Sequence, residues 1–288
     1  VERASHCKVN LLLNILGKRA DGFHELETVM QPVPLHDTLC FERSAPGIQF
    51  TCNHPALPTD ATNLVVRAAR DFFRAARLEP GVRIHLEKRL PVAAGLGGGS
   101  GNAAVTLLAL NDLFGNPLNT DQLHSLAAAL GSDVPFFLQR GPALATGRGE
   151  QVTPLPPFAA LRGAAILLIH PGFGVSTAWA YQNLAKFPQA LNGRPGRAQR
   201  LVTLLQGDDL AAAAPEFYNC LEAPVLAKHP LLALFQEFLR EHGALAALMS
   251  GSGSSTFALT RGLAAAEQLA EQFRGRFGPH NWLAVAAL

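Results

Sequence analysis

Between Lys8 and Ile15 the chain alternates, with Val9, Leu11, Leu13 and Ile15 on one face and Lys8, Asn10 and Asn14 on the other. A period of two predicts a half-buried strand and puts Lys8 and Asn10 on the same side of it. A polar turn from Gly17 to Gly22 leads to a second extended run over 25–33, and shorter strand-like segments are expected at 37–42 and 47–52. Leu64, Val65, Ala68, Ala69, Phe72, Phe73 and Ala76 recur at helical spacing behind Thr62 and Asn63, either of which can cap the first amphipathic helix. Val82, Ile84 and Leu86 alternate as another strand. The stretch 103–114 is apolar nearly all round and closed by Gly115, which predicts a buried helix. Leu123, Leu126, Ala127 and Leu130 form the next helix, which Gly131 stops.

Further along, 164–169 is a short continuous apolar run between Gly163 and Pro171-Gly172, as in a fully buried strand. Helical patterns follow at 199–205, 210–217 and 226–241, then a Gly/Ser loop at 250–255 and a last helix over 263–273. Strands and helices mix without strict alternation and without a repeat of fixed period, so an α+β fold is expected, with two lobes covering 1–155 and 156–288.

Composition agrees with this and excludes other classes. Hydrophobic residues make up 48% of the 288 positions and charged residues 16%, the opposite of a disordered chain. The net charge is +2 and no cluster of five Lys or Arg occurs, so neither nucleic acid nor a lipid surface is expected as a partner. Cys7, Cys40, Cys52 and Cys220 include no CxxC, which leaves neither a zinc knuckle nor a thioredoxin-type motif and reads as buried, reduced thiols. No apolar run approaches the ~18 residues of a membrane span. Glu2, Arg3, His6 and Lys8 stand where a secretion signal would be apolar, so a cytoplasmic protein, monomeric or weakly dimeric, is expected.

The densest chemical signal is Pro91-Val92-Ala93-Ala94-Gly95-Leu96-Gly97-Gly98-Gly99-Ser100-Gly101, where glycines fill four of the five positions 95–99 just ahead of the buried helix. Backbone without side chains approaches a phosphate closely, and a helix start offers unpaired N–H groups and the positive end of its dipole. A plain flexible linker is the alternative, but linkers seldom run straight into a buried helix. A Walker A loop fails, because Gly17-Lys18 is followed by Arg19. Gly99-Ser-Gly101-Asn-Ala-Ala104 satisfies the loose GxGxxA form of a dinucleotide site, yet Asp112 and Asp121 border helices where an acidic residue should end a strand. Asp133, in Ser132-Asp133-Val134-Pro135, is expected at a helix N-terminus, as a structural cap or as an ionised carboxylate held for chemistry. Ser250-Gly-Ser-Gly-Ser-Ser255 reads as a tight strand connection able to touch a ligand.

Lys8-Val-Asn10, the Gly95–Ser100 loop and the late Ser-Gly-Ser-Gly, in this order and at these separations, resemble the three motifs of the GHMP kinases. Ala20-Asp-Gly-Phe-His-Glu-Leu26, Gly131-Ser-Asp-Val-Pro135 and Met249-Ser-Gly-Ser-Gly253 are similar to the branch acting on a cytidine-diphosphate-linked methylerythritol in mevalonate-independent isoprenoid biosynthesis. The resemblance runs from Lys8 to Phe257. It implies a two-lobed fold with ATP between the lobes and direct transfer of the γ-phosphoryl group from Mg-ATP to a substrate hydroxyl. In that scheme Asp133 accepts the hydroxyl proton, Lys8 orients the hydroxyl and offsets developing charge, and residues 91–101 hold the phosphates. Asn10 positions the substrate, Phe23 and Tyr181 stack on cytosine, and His24 and Thr177 read its polar edges; no protein metal site is implied. Two positions depart from the family's pattern: His6-Cys7 replaces Pro-Ala before the lysine, and Gly101 replaces a second serine. A GHMP kinase for another small alcohol and a catalytically silent nucleotide-binding relative are the alternatives.

Overall fold

The alternation that starts at Lys8 extends both ways in the computed structural model, which describes residues 1–288. The strands are β1 (Glu2–Lys18), β2 (His24–Arg43), β3 (Gly47–Cys52), β4 (Gly81–Glu87), β5 (Ala143–Thr146), β6 (Gln151–Pro154), β7 (Ala165–His170), β8 (Tyr218–Asn219), β9 (Ala246–Met249), β10 (Thr256–Thr260) and β11 (Trp282–Ala287). The helices are α1 (Leu64–Ala76), α2 (Gly98–Leu113), α3 (Thr120–Leu130), α4 (Thr177–Asn183), α5 (Pro188–Leu191), α6 (Arg197–Gln206), α7 (Leu210–Ala213), α8 (Glu222–Lys228), α9 (Pro230–Glu241) and α10 (Leu263–Phe277). This is an α+β fold. No helix is long and apolar enough to cross a membrane.

The contacts group the chain differently from a single cut near residue 155. One unit comprises Val1–Cys7, Leu35–Leu90 and Gly97–Arg140; the other comprises Lys8–Pro34, Pro91–Leu96 and Gly141–Leu288. The interleaving follows from strand length: β1 and β2 are each long enough to contribute residues to both units. The expected segments 25–33 and 37–42 form one strand, β2. Its prolines, Pro32 and Pro34, fall between the ladder with β5 at Thr28–Met30 and the ladder with β4 at Thr38–Arg43, where a missing N–H costs neither pairing.

In the first unit β4 runs parallel to β3 and antiparallel to β2, and α1, α2 and α3 bury an apolar face that includes Phe72, Phe73, Ile84, Leu107 and Leu110. Asn63 caps α1 by accepting from the Val65 N–H at 2.9 Å, and Asn119 and Gln122 cap α3 reciprocally. In the second unit the strand order β11-β7-β10-β9 forms an antiparallel sheet whose Leu167, Ile169, Met249 and Ala258 pack with Phe235, Leu239, Leu269 and Phe273 of α9 and α10. A parallel pairing of β1 with β8, at Leu12 with Tyr218 and Leu13 with Asn219, belongs to the same unit.

Several expectations are corrected. The helix expected over 226–241 is two, because Pro230 lacks an N–H and holds His229 out of helical backbone at φ −124° and ψ 72°. The helix over 210–217 is one α-turn followed by a 3₁₀ turn at Ala214–Glu216, which contains Pro215. The buried helix starts at Gly98, not at residue 103, so the end of the glycine-rich stretch forms its first turn. Cys7 and Cys220 are buried and none of the four cysteines is in a disulfide, but Cys40 is exposed and Cys52 partly so.

Candidate active site

The polar face of β1 is not wet. Lys8 is only 2% exposed and Asn10 and Asn14 are buried too, so a strand expected to be half-buried is covered on both faces over its middle. A buried ammonium requires polar partners. Lys8 Nζ donates to Asn10 Oδ1 at 2.5 Å and reaches the Gly95 carbonyl at 3.4 Å, while the Lys8 backbone N–H donates to Leu96 O at 3.0 Å. Asn10 is fixed in turn by its amide, which donates to Thr28 Oγ1 at 2.8 Å. The shared face expected for Lys8 and Asn10 is therefore a direct hydrogen bond, against the start of the glycine-rich loop.

That start is packed backbone to backbone against the late Gly/Ser loop. Gly95 has φ +75°, and a Cβ there would lie 2.1 Å from Ser250 O, so glycine is required twice over. Ser250 Oγ donates to Gly95 O at 2.9 Å and the Ser255 N–H donates to Ala94 O at 3.1 Å. Two stretches 155 residues apart, singled out separately in the sequence, are thus in contact. In the other unit Gly97, at φ 70°, precedes α2. This helix start has neither a side-chain cap nor an acidic residue in its first turn, unlike α3, so the N–H groups around Gly98, Gly99 and Ser100 keep their capacity for an anion.

Asp133 lies in a turn after α3, with the Val134 N–H donating to Gly131 O at 3.1 Å. The helix expected to follow it is only the 3₁₀ turn Pro135–Leu138, opened by its proline. The recognition candidates of the second unit come together in part. The His24 and Tyr181 rings are 5.2 Å apart at 40°, and Thr177 shares a 2.8 Å hydrogen bond with Ser252 of the late loop. Phe23 is 50% exposed, with the Arg148 guanidinium 4.7 Å over its ring. Burial, and secondarily Lys18, pushes the His24 imidazole below its ordinary range, which favours the neutral ring able both to donate and to accept.

Four polar residues, buried or half-buried, carry little signal in the sequence. Asp37 and Lys88 form an ion pair at 2.6 Å; the carboxylate also accepts from the Arg89 and Leu90 N–H groups and from Asn102 of α2. A Cβ on Gly98 would sit 3.1 Å from Lys88 Nζ, so this pair supports the start of α2. Asn219 and Glu222 hold the late loop. Burial pushes the Glu222 carboxyl above its ordinary range, against the opposing effects of its hydrogen bonds to Met249 and Gln236. A lone Asp inside an extended run and a Lys just ahead of Pro91 were the only available hints of the first pair. No group of three His, Cys, Asp or Glu is placed to hold a metal ion.

Residues 63–141 match the GHMP kinases N terminal domain and residues 187–280 the GHMP kinases C terminal family, which makes the chain a small-molecule kinase of the GHMP class. It is 46% identical to the 4-diphosphocytidyl-2-C-methyl-D-erythritol kinase of Synechococcus sp. (strain JA-3-3Ab), over 92% of this chain and 86% of that one. With its counterpart from Gloeobacter violaceus it shares 43% identity over 94% and 89%. A crystal structure of 4-(cytidine 5'-diphospho)-2C-methyl-D-erythritol kinase superposes with a TM-score of 0.79 at 34% identity, covering 100% of both chains. The chain belongs to the 4-diphosphocytidyl-2-C-methyl-D-erythritol kinase family.

Proposed function

We propose that this kinase transfers the γ-phosphoryl group of ATP to the 2-hydroxyl of 4-diphosphocytidyl-2-C-methyl-D-erythritol, in the cytoplasm, as a step of isoprenoid precursor synthesis. The observation that carries the reading is the buried Lys8, bonded to Asn10 and set against the Gly95 carbonyl at the entrance to the glycine-rich loop. A cation so placed suits a reaction that asks mainly for alignment and charge stabilisation. The substrate hydroxyl oxygen attacks the γ-phosphorus, the bond to the β,γ-bridging oxygen breaks and ADP leaves. Asp133 takes the hydroxyl proton, while Lys8 orients the hydroxyl and offsets charge as it develops.

Pro91, Val92, Ala93, Ala94, Gly95 and Leu96 lead the backbone past the phosphates, and Gly97, Gly98, Gly99, Ser100 and Gly101 supply N–H donors with the Ser100 hydroxyl beside them. Asn10 positions the methylerythritol part. Phe23 and Tyr181 stack on the cytosine, whose edges His24 and Thr177 read; the exposed Phe23 ring and the His24–Tyr181 contact support this. Magnesium would enter with the nucleotide as Mg-ATP and would supply neutralisation of phosphate charge during transfer.

The test is ADP release with Mg-ATP and this substrate, for the wild type and Asp133→Asn. Substrate-dependent turnover that falls by about 10² or more in the variant supports both assignments. Full activity in the variant reduces Asp133 to a turn residue. A wild type that binds ATP without turning over, and that neither CDP nor CMP occupies, points to another alcohol.

A further inference from the structure

The late Gly/Ser loop is held by two side chains, one buried and one half-buried, that the proposed reaction leaves without a role. Asn219, at the end of β8 and 2% exposed, donates from Nδ2 to Met249 O and to Gly251 O, each at 2.7 Å. Its Oδ1 accepts from the Leu221 N–H at 3.0 Å, which fixes the side chain's orientation. Glu222 Oε1 accepts from the Met249 N–H at 2.8 Å and from Gln236 Nε2 at 2.7 Å. Met249 is thus gripped at both its N–H and its C=O. It ends β9, the outermost strand in the order β11-β7-β10-β9, so the two side chains bond backbone groups that no further strand of that sheet satisfies.

From the gripped residue the loop reaches three places. Ser250 and Ser255 bond the carbonyls of Gly95 and Ala94, Ser252 bonds Thr177, and a Cβ on Gly251 would lie 3.0 Å from Gly95 O and 3.4 Å from Asn10 Oδ1. Small displacements of the loop are therefore passed to the nucleotide loop, to Thr177 and to the surroundings of Asn10. Sheet-edge stability alone would not require such a junction to be tied by a buried amide and a half-buried carboxylate, a costly placement unless their polar atoms are paired.

We propose that Asn219 and Glu222 are positioning residues for phosphoryl transfer, gripping Met249 and Gly251 so that the late loop seats Ala94–Gly95 for the nucleotide and Thr177 for the acceptor substrate. This rests on the kinase reading above. It is tested on the full chain with Asn219→Ala, Glu222→Ala, Glu222→Gln, Ser250→Ala and the Glu222→Ala/Ser250→Ala double variant, by thermal unfolding, by ADP affinity and by KM and kcat for both substrates. Loss of one such bond should weaken ADP binding and raise the KM for ATP about tenfold in the alanine variants. Glu222→Gln, which keeps an oxygen for the Met249 N–H, should restore values to within about threefold of wild type.

Because Glu222 and Ser250 act on the same loop, the double variant should lose less than the product of the single losses. Asn219→Ser, which keeps one donor, carries the test if the alanine variants do not fold. Lowered melting temperatures with unchanged ADP affinity and KM, or strictly multiplicative losses, overturn the proposal. A wild type that does not bind ADP removes the kinase reading itself. A wild type that binds ADP but rejects this acceptor removes only the substrate assignment and leaves the clamp to be judged on ADP affinity.

Discussion

Gly95→Ala tests the packing of the two glycine-rich loops most directly. The added methyl must adopt φ +75° and would sit 2.1 Å from Ser250 O and about 3 Å from the Gly253 N, all backbone atoms that no rotamer change can move aside. A left-handed backbone costs a non-glycine residue about 1–2 kcal/mol, and forcing an extra methyl into filled space costs about 1–3 kcal/mol. The variant should therefore lose about 2–5 kcal/mol, a fall in Tm on the order of 5–15 °C for a chain this size. Gly99→Ala is the matched control. Its Cβ would meet only Leu64 Cδ1 at 3.6 Å, an ordinary contact, and alanine is the better helix former, so Tm should rise by about 1–4 °C. Differential scanning fluorimetry of the two variants beside wild type decides the matter. A Gly95→Ala protein melting within about 1 °C of wild type, or equal shifts in both variants, would refute the packing argument.

Two further outcomes follow from buried groups. Asp37→Ala strands the Lys88 ammonium, whose side chain is 4% exposed, and leaves two N–H groups and an amide unpaired; urea unfolding should show a loss of about 3–5 kcal/mol, and a loss under about 1 kcal/mol would sink the role given to the pair. Burial holds the His170 imidazole below its ordinary pKa of 6.5, and its Nδ1 accepts from the Gly172 N–H at 3.3 Å. Below 6.5 the unfolded chain binds the proton more readily than the folded one, so stability is full above that pH and falls as the solution is acidified through it. His6, His24 and His229 shift the same way, so His170→Asn should reduce the slope of Tm against pH without abolishing it; an unchanged slope would remove His170 from the account.

What the sequence made legible was local. Alternation at Lys8–Ile15 placed Lys8 and Asn10 on one face, and glycine composition marked both loops, because period and backbone freedom are properties of neighbouring residues. That the polar face of β1 is buried was hidden, since the Gly95 carbonyl that meets the Lys8 side chain comes from a loop more than 80 residues on. The short strands β5 and β6 have too few residues to show a period, and Asn219, Glu222 and Asp37 look like any polar residue until their partners are known.

The two departures from the GHMP pattern show how contacts can join features that look independent along the chain. His6 before the lysine and Gly101 at the end of the glycine loop are 95 positions apart, yet a Cβ at Gly101 would lie 3.0 Å from the His6 carbonyl and 2.9 Å from Ser5 Oγ. A serine at position 101 needs that volume for its Cβ before its hydroxyl can be placed at all. The segment that carries His6 fills the space a serine side chain at position 101 would take. Positions 6 and 101 thus meet at one packing contact within the first unit.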